Sequence, residues 1–250
     1  MPDALLETRQ LRKRFGGLVA TDDVSVEILT GELHAVIGPN GAGKTTLVAQ
    51  LAGEMQPDSG EILFACHDVT RLATAERVSL GLARSFQVTS VFREFSALDN
   101  VALAVQRSVG HSFHFWHAAR REPALREPAE ALLTELGLAA RLHVPAGNLS
   151  HGEKRTLEIA MVLATKPRLV LLDEPLAGMG PEDSKRMVQT LAALKGKVTI
   201  VLIEHDMDAV FTLADRLTVL VYGRVIATGA PGDLRSNEAV RRAYLGDEAE

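Results

Sequence analysis

Gly38-Pro39-Asn40-Gly41-Ala42-Gly43-Lys44-Thr45 sets a lysine and a hydroxyl at the end of a glycine-rich turn, directly after the apolar run Leu33–Ile37 and ahead of a helical stretch from Lys44 to Ala52. The spacing fits G-x-x-x-x-G-K-[ST], whose glycines let backbone N–H groups turn inward around phosphate oxygens. The helix that follows adds the positive end of its dipole. Lys44 is thereby placed to reach the terminal phosphates of a nucleotide, and the Thr45 hydroxyl to ligate Mg²⁺. A second set of chemistry-bearing residues ends the run Leu169–Leu172, where Asp173 and Glu174 follow. Ligands of open α/β sheets bind at the carboxyl ends of the strands, so Asp173 suits Mg²⁺ coordination, directly or through water. Glu174 is placed to polarise a water aimed at a γ-phosphate. Ser150-His151-Gly152-Glu153 opens an amphipathic stretch and has two compatible readings. Serine with glutamate three residues on is a capping box. A helix N-terminus with a serine hydroxyl and a close-approach glycine is also a phosphate site.

The elements that must hold these residues follow from hydrophobic patterning. Leu33–Ile37, Leu169–Leu172, Val198–Ile203 and Leu217–Val221 are short continuous apolar runs, the pattern of strands buried on both faces of a parallel sheet. Between them lie helical stretches at Lys44–Ala52, Gly152–Ala164, Glu182–Leu194 and Met207–Ala214. Alternation of this kind predicts an α/β fold with a mainly parallel sheet. Val24, Val26, Ile28 and Glu61, Leu63 alternate around turn signals, which adds an N-terminal antiparallel β portion. Residues 98–144 carry few strand signals and a helix over Ala129–Leu136, so they read as a small helical lobe inserted between 1–97 and 145–250. His111, His114 and His117 share a helical spacing, but Phe113, Phe115 and Trp116 interleave without carboxylate or thiolate, which favours an amphipathic patch over a metal site.

Length and charge narrow the class. A chain of 250 residues with 46% hydrophobic content makes one large domain or two lobes with a sizeable core. With 27 Lys+Arg against 32 Asp+Glu the net charge is −5, which argues against nucleic acid as a partner. Cys66 is the single cysteine, so no intrachain disulfide forms. Without an apolar run long enough to span a bilayer and without a leader pattern, the expectation is a cytoplasmic chain that reaches a membrane only by docking on another protein.

Taken in order along the chain, these motifs resemble the ABC (ATP-binding cassette) family over nearly the full length. Gly38–Thr46, including Thr46, looks like Walker A, and Asp173-Glu174 like Walker B with its catalytic glutamate. Phe15 is placed like the aromatic residue that stacks on adenine, Gln87 in Arg84-Ser-Phe-Gln like the Q-loop glutamine that also contacts Mg²⁺, and His205 like the switch histidine. Leu149–Glu153 is similar to the LSGGQ signature. The resemblance implies a P-loop NTPase core, ATP and Mg²⁺ as cofactors, and ATP hydrolysis with Lys44, Gln87, Glu174 and His205 in the catalytic set. It also implies a head-to-tail pair of cassettes in which Ser150, Gly152 and Glu153 of one meet the nucleotide of the other. His151, Glu153 and Gly180 depart from the family's usual residues at their positions.

Phe15-Gly-Gly-Leu, Leu157-Glu-Ile-Ala, Ala177-Gly-Met and Ala243-Tyr-Leu-Gly look like the ATPases of branched-chain amino acid uptake, with urea importers close behind. That likeness implies a second cassette, homo- or heterodimeric, integral-membrane permeases, an extracytoplasmic solute-binding protein, and a peripheral place on the inner face of the cell membrane. The rival reading is a soluble, non-transport ABC ATPase. Phe92 and Phe95 are either core residues or apolar anchors for the permease.

Overall fold

The computed structural model describes residues 3–85, 91–109 and 122–245. In chain order the elements are β1 (Ala4–Phe15), β2 (Leu18–Leu29), β3 (Leu33–Ile37), α1 (Lys44–Ala52), β4 (Ser59–Phe64), β5 (His67–Asp68), α2 (Thr74–Ser79) and β6 (Leu82–Arg84). There follow α3 (Ala97–Val109), α4 (Pro123–Glu135), α5 (His151–Ala164), β7 (Leu169–Asp173), α6 (Pro181–Leu194), β8 (Thr199–Ile203), α7 (Met207–Leu213), β9 (Arg216–Val221), β10 (Arg224–Gly229), α8 (Pro231–Arg235) and α9 (Glu238–Leu245). Tertiary contacts divide the chain into two compact units, Met1–Arg84 with Arg168–Pro175 and Leu191–Glu250, and Ser85–Pro167 with Leu176–Thr190.

The first unit holds both sheets. Five strands of the larger one run parallel in the order β9-β3-β8-β7-β6, and β10 closes the β9 edge antiparallel. Every residue of β3, β7 and β8 is buried, as strands covered on both faces require. His34, buried within β3, stays satisfied because its ring nitrogens lie 3.1 Å from Glu32 Oε1 and 2.8 Å from Thr218 Oγ1. The smaller sheet is antiparallel in the order β2-β1-β4-β5. Its inward residues, among them Leu6, Leu11, Val24, Ile28, Ile62 and Phe64, share one core with Leu47, Val48 and Leu51 of α1. Each such side chain contributes about 1.5–3 kcal/mol on leaving water.

Arg77 fixes the far end of α1. Its buried guanidinium donates to the carbonyls of Gln50 (2.7 Å) and Leu51 (2.8 Å), and also to Leu72 and Thr70. A cation there answers the carbonyls and the negative dipole end that a helix C-terminus leaves open. Burial lowers its pKa to about 10, offset in part by the charge of Asp68.

The second unit packs α3, α4 and α5 together. Leu98, Val101, Val105, Leu125, Ala129, Leu133, Leu157 and Ala160 form its buried faces. It takes in more chain than the 98–144 stretch marked by sequence, because α5 and most of α6 are counted with it. α4 begins at Pro123, not Ala129, with that proline at a helical start, where its missing N–H costs nothing, and Pro128 tolerated in the interior. Among the described residues no helix is long and apolar enough to cross a membrane.

Candidate functional site

Register gathers the first unit's polar residues. Val36 of β3 and Asp173 of β7 both align with Ile203 of β8, so the glycine-rich loop, the Asp173-Glu174 pair and the Glu204-His205 segment leave one edge of the sheet side by side. This is the carboxyl edge, where α/β sheets bind ligands. The loop's helix, α1, has Gly43 as N-cap with φ 99°, no side-chain cap and no acidic residue in its first turn. Its opening amides are therefore left for an anion. Gly43 is also required sterically, since a Cβ there would lie 2.1 Å from the carbonyl oxygen of Ala20. Asn40, Gly41 and Thr45 face solvent, while Ala42 is buried and Pro39, Gly43 and Thr46 are half-buried.

Lys44 folds back over its own loop. Its Nζ donates to the Gly38 carbonyl at 2.6 Å and the Pro39 carbonyl at 3.0 Å. Burial lowers its pKa, and the charges of Glu174 and Asp173 oppose that shift, so the ammonium lies within electrostatic reach of both carboxylates. Asp173 is 1% exposed and accepts a 2.7 Å hydrogen bond on Oδ2 from Arg84, whose other nitrogen holds Glu54. Glu174 has φ 47°, left-handed backbone that costs a non-glycine residue on the order of 1 kcal/mol, and its amide donates to Ile203 O at 2.9 Å. The His205 side chain is 66% exposed, 3.8 Å from Glu204.

Phe15 ends β1 with its ring 47% exposed, and Lys13 Nζ lies 5.8 Å from the ring centroid. The hairpin that carries it is tied to the loop. Asp22 of β2 donates its amide to Gly223 O at 2.8 Å, and Gly223 donates to Ala42 O at 2.9 Å. Arg224 clasps the Asp22 carboxylate from the same turn. Sequence reasoning missed Arg84, Glu54 and this turn, because each acts through contacts distant along the chain and carries no local signal.

In the second unit Ser150 is the N-cap of α5. Its Oγ accepts from the Glu153 amide at 3.2 Å, and Glu153 Oε2 accepts from the Ser150 amide at 2.8 Å, a complete capping box. The other Glu153 oxygen is taken by Arg141 at 2.7 Å, so this carboxylate is committed within the chain. Burial pushes the Glu153 carboxyl up, yet the bonds from Arg141 and Ser150 outweigh it and leave the group below its usual range. Gly152 has no room for a side chain, because a Cβ would come 2.7 Å from the Asp183 carboxylate. His151 is exposed, with Nε2 3.4 Å from Ala177 O. Phe92 is 55% exposed and stacks on half-buried Phe95, so neither is a core residue, and the buried Asn100 side chain pins Phe92 through its amide and carbonyl. Gln87 and His111, His114 and His117 lie outside the described residues.

Comparison with known proteins decides the family. Residues 21–177, which contain the glycine-rich loop, the capping box and both carboxylates, match the ABC transporter family model. The chain belongs to the ABC transporter family. As an ABC ATPase it binds ATP, and its activity is ATP hydrolysis. A second model, described as branched-chain amino acid ATP-binding cassette transporter, matches residues 224–250. The cassette is 36% identical to the high-affinity branched-chain amino acid transport ATP-binding protein LivG of Escherichia coli, over 99% of this chain and 100% of that one. It is 37% identical to the lipopolysaccharide export system ATP-binding protein LptB of Acidithiobacillus ferridurans, over 98% of each. Among solved structures, the ADP conformation of MJ1267, an ATP-binding cassette of an ABC transporter, superposes with a TM-score of 0.85 at 30% identity, covering 98% of this chain and 99% of that one.

Proposed function

We propose that this cassette is the ATP-hydrolysing subunit of an importer for branched-chain amino acids or chemically similar solutes, paired with a second cassette and seated on permeases at the inner face of the membrane. One observation carries the solute class. Over nearly the whole chain the cassette is about as identical to an export ATPase as to LivG, so overall identity does not separate them, whereas 224–250 matches the branched-chain amino acid model. The likeness to LivG over the whole of both chains supports the same reading.

In the proposed reaction the loop amides and Lys44 bind the β- and γ-phosphates, with Lys44 exchanging the Gly38 and Pro39 carbonyls for phosphate oxygens. Phe15 carries the adenine on its exposed face. The donor set suits Mg²⁺, a hard cation that binds through one or two carboxylates plus substrate phosphates: the Asp173 carboxylate ends β7 within electrostatic reach of Lys44, and the Thr45 hydroxyl is an exposed oxygen donor on the loop's helix. Asp173 and the Thr45 hydroxyl, with Gln87, would hold it, and bound there Mg²⁺ supplies positive charge across the phosphates. Glu174 orients and polarises the attacking water, and His205 steadies the γ-phosphate from the adjacent strand end. Ser150 and Gly152 meet the partner cassette's nucleotide. Phe92 and Phe95 dock the permease.

The test is uptake of radiolabelled leucine, isoleucine and valine by cells carrying the parent gene or its Lys44→Ala allele. Loss of uptake in the mutant is expected. Normal uptake, with a defect in lipopolysaccharide export instead, would overturn the importer assignment.

A further inference from the structure

Arg84 is a nearly buried guanidinium, 8% exposed, at the end of the edge strand β6, three residues ahead of Gln87. Its fork spans two carboxylates, Asp173 at the end of β7, 2.7 Å away, and Glu54, just past the end of α1. Its Nε finds no acceptor among the described residues. As a stability device this is poor, since a buried ion pair with an unmet donor is commonly no better than an apolar replacement of similar volume. The Leu82 and Ala83 that precede it on β6 are buried apolar residues, so such a replacement would suit the strand.

The contact makes sense as preparation of Asp173 for a metal. A carboxylate 1% exposed needs a fixed partner, and Lys44 also lies within reach of its charge. A carboxylate drawn over to Lys44 would take both groups away from the nucleotide. Building on the Mg²⁺ role proposed above for Asp173, we propose that Arg84 is a positioning residue for that carboxylate: by holding Oδ2 and anchoring on Glu54, it fixes the orientation in which Asp173 receives the metal of the metal–nucleotide complex. Hydrogen-bond partners of metal-binding groups characteristically matter this way, their loss costing about 10–100-fold in metal affinity.

The test reads metal binding directly. Mn²⁺ is titrated by electron paramagnetic resonance into the full-length cassette saturated with ADP, and ADP affinity is measured separately in EDTA. Arg84→Met should weaken Mn²⁺ about tenfold or more, with metal-free ADP affinity unchanged. Arg84→Lys should recover part of the loss, because one ammonium can hold Asp173 but cannot fork to Glu54 as well. Glu54→Gln, which leaves Arg84 with a weaker anchor, should show a smaller loss of the same sign. Asp173→Asn separates this idea from the site assignment. If Asp173→Asn binds Mn²⁺ like the parent, the metal role of Asp173 fails and the proposal with it. If Asp173→Asn loses Mn²⁺ while Arg84→Met keeps parental affinity, only the proposal fails. Should Arg84→Met not fold, parental Mn²⁺ affinity in both Arg84→Lys and Glu54→Gln overturns it equally.

Discussion

Glu174 concentrates the proposed chemistry in one side chain, and its backbone is left-handed. A glutamate held at φ 47° stores strain that the surrounding strands must over-determine, here through its amide bond to Ile203 O. Such strain collects where a side chain has to be aimed. Glu174→Gln keeps size and hydrogen bonding but removes the charge that polarises water, so single-turnover ATP cleavage should fall at least ~10²-fold with ATP binding retained. Normal cleavage in the mutant would return Glu174 to the role of a strand-end carboxylate. Lys44→Ala should behave differently. In the proposed site it would remove a cation from the phosphates themselves, so nucleotide affinity and turnover should both drop, and fluorescent-nucleotide titration distinguishes the two mutants.

At the scale of elements, the stability of α1 rests on opposite solutions at its two ends. The N-terminus of α1 is left without a side-chain cap, while Arg77 closes its C-terminus with bonds to Gln50 and Leu51 carbonyls. Arg77→Met leaves those buried carbonyls without this donor and should cost about 2–4 kcal/mol, read as a lower urea midpoint. A parental midpoint would mean that water or neighbouring amides replace the guanidinium. The contrast also explains what could be read in advance. Leu33–Ile37 and Lys44–Ala52 were legible to the residue, because a wholly apolar strand and a glycine-flanked helix are dictated by local physics. The loop, the two carboxylates and the Ser150–Glu153 capping box were legible for the same reason. Arg77, Arg84 and the Gly223 turn were not, since their main partners lie far away in sequence and a lone arginine in sequence looks like any solvated side chain. α3 escaped notice because its first four residues belong to the turn-like Phe-Ser-Ala-Leu-Asp-Asn run.

For the molecule as a whole, the proposed dimer puts two demands on Ser150 that substitutions can separate. Within the chain it caps α5, accepting from the Glu153 amide, and Glu153 answers it. Across the dimer it would present its hydroxyl to the partner's nucleotide. Ser150→Ala removes the hydroxyl alone and should lower stability by about 1 kcal/mol through loss of the cap. Ser150→Arg loses the same cap but adds a bulky cation at the helix end, where the partner's phosphate loop would have to approach. Comparable unfolding midpoints are therefore expected for the two variants, with unequal association. In a Glu174→Gln background, where slowed hydrolysis lets the closed state accumulate, sedimentation with ATP should give a dimer for Ser150→Ala, weakened relative to the parent, and none for Ser150→Arg, while both monomers still bind nucleotide. If Ser150→Arg dimerises with ATP as well as Ser150→Ala does, the N-terminal end of α5 takes no part in association, and Ser150 serves only its own helix.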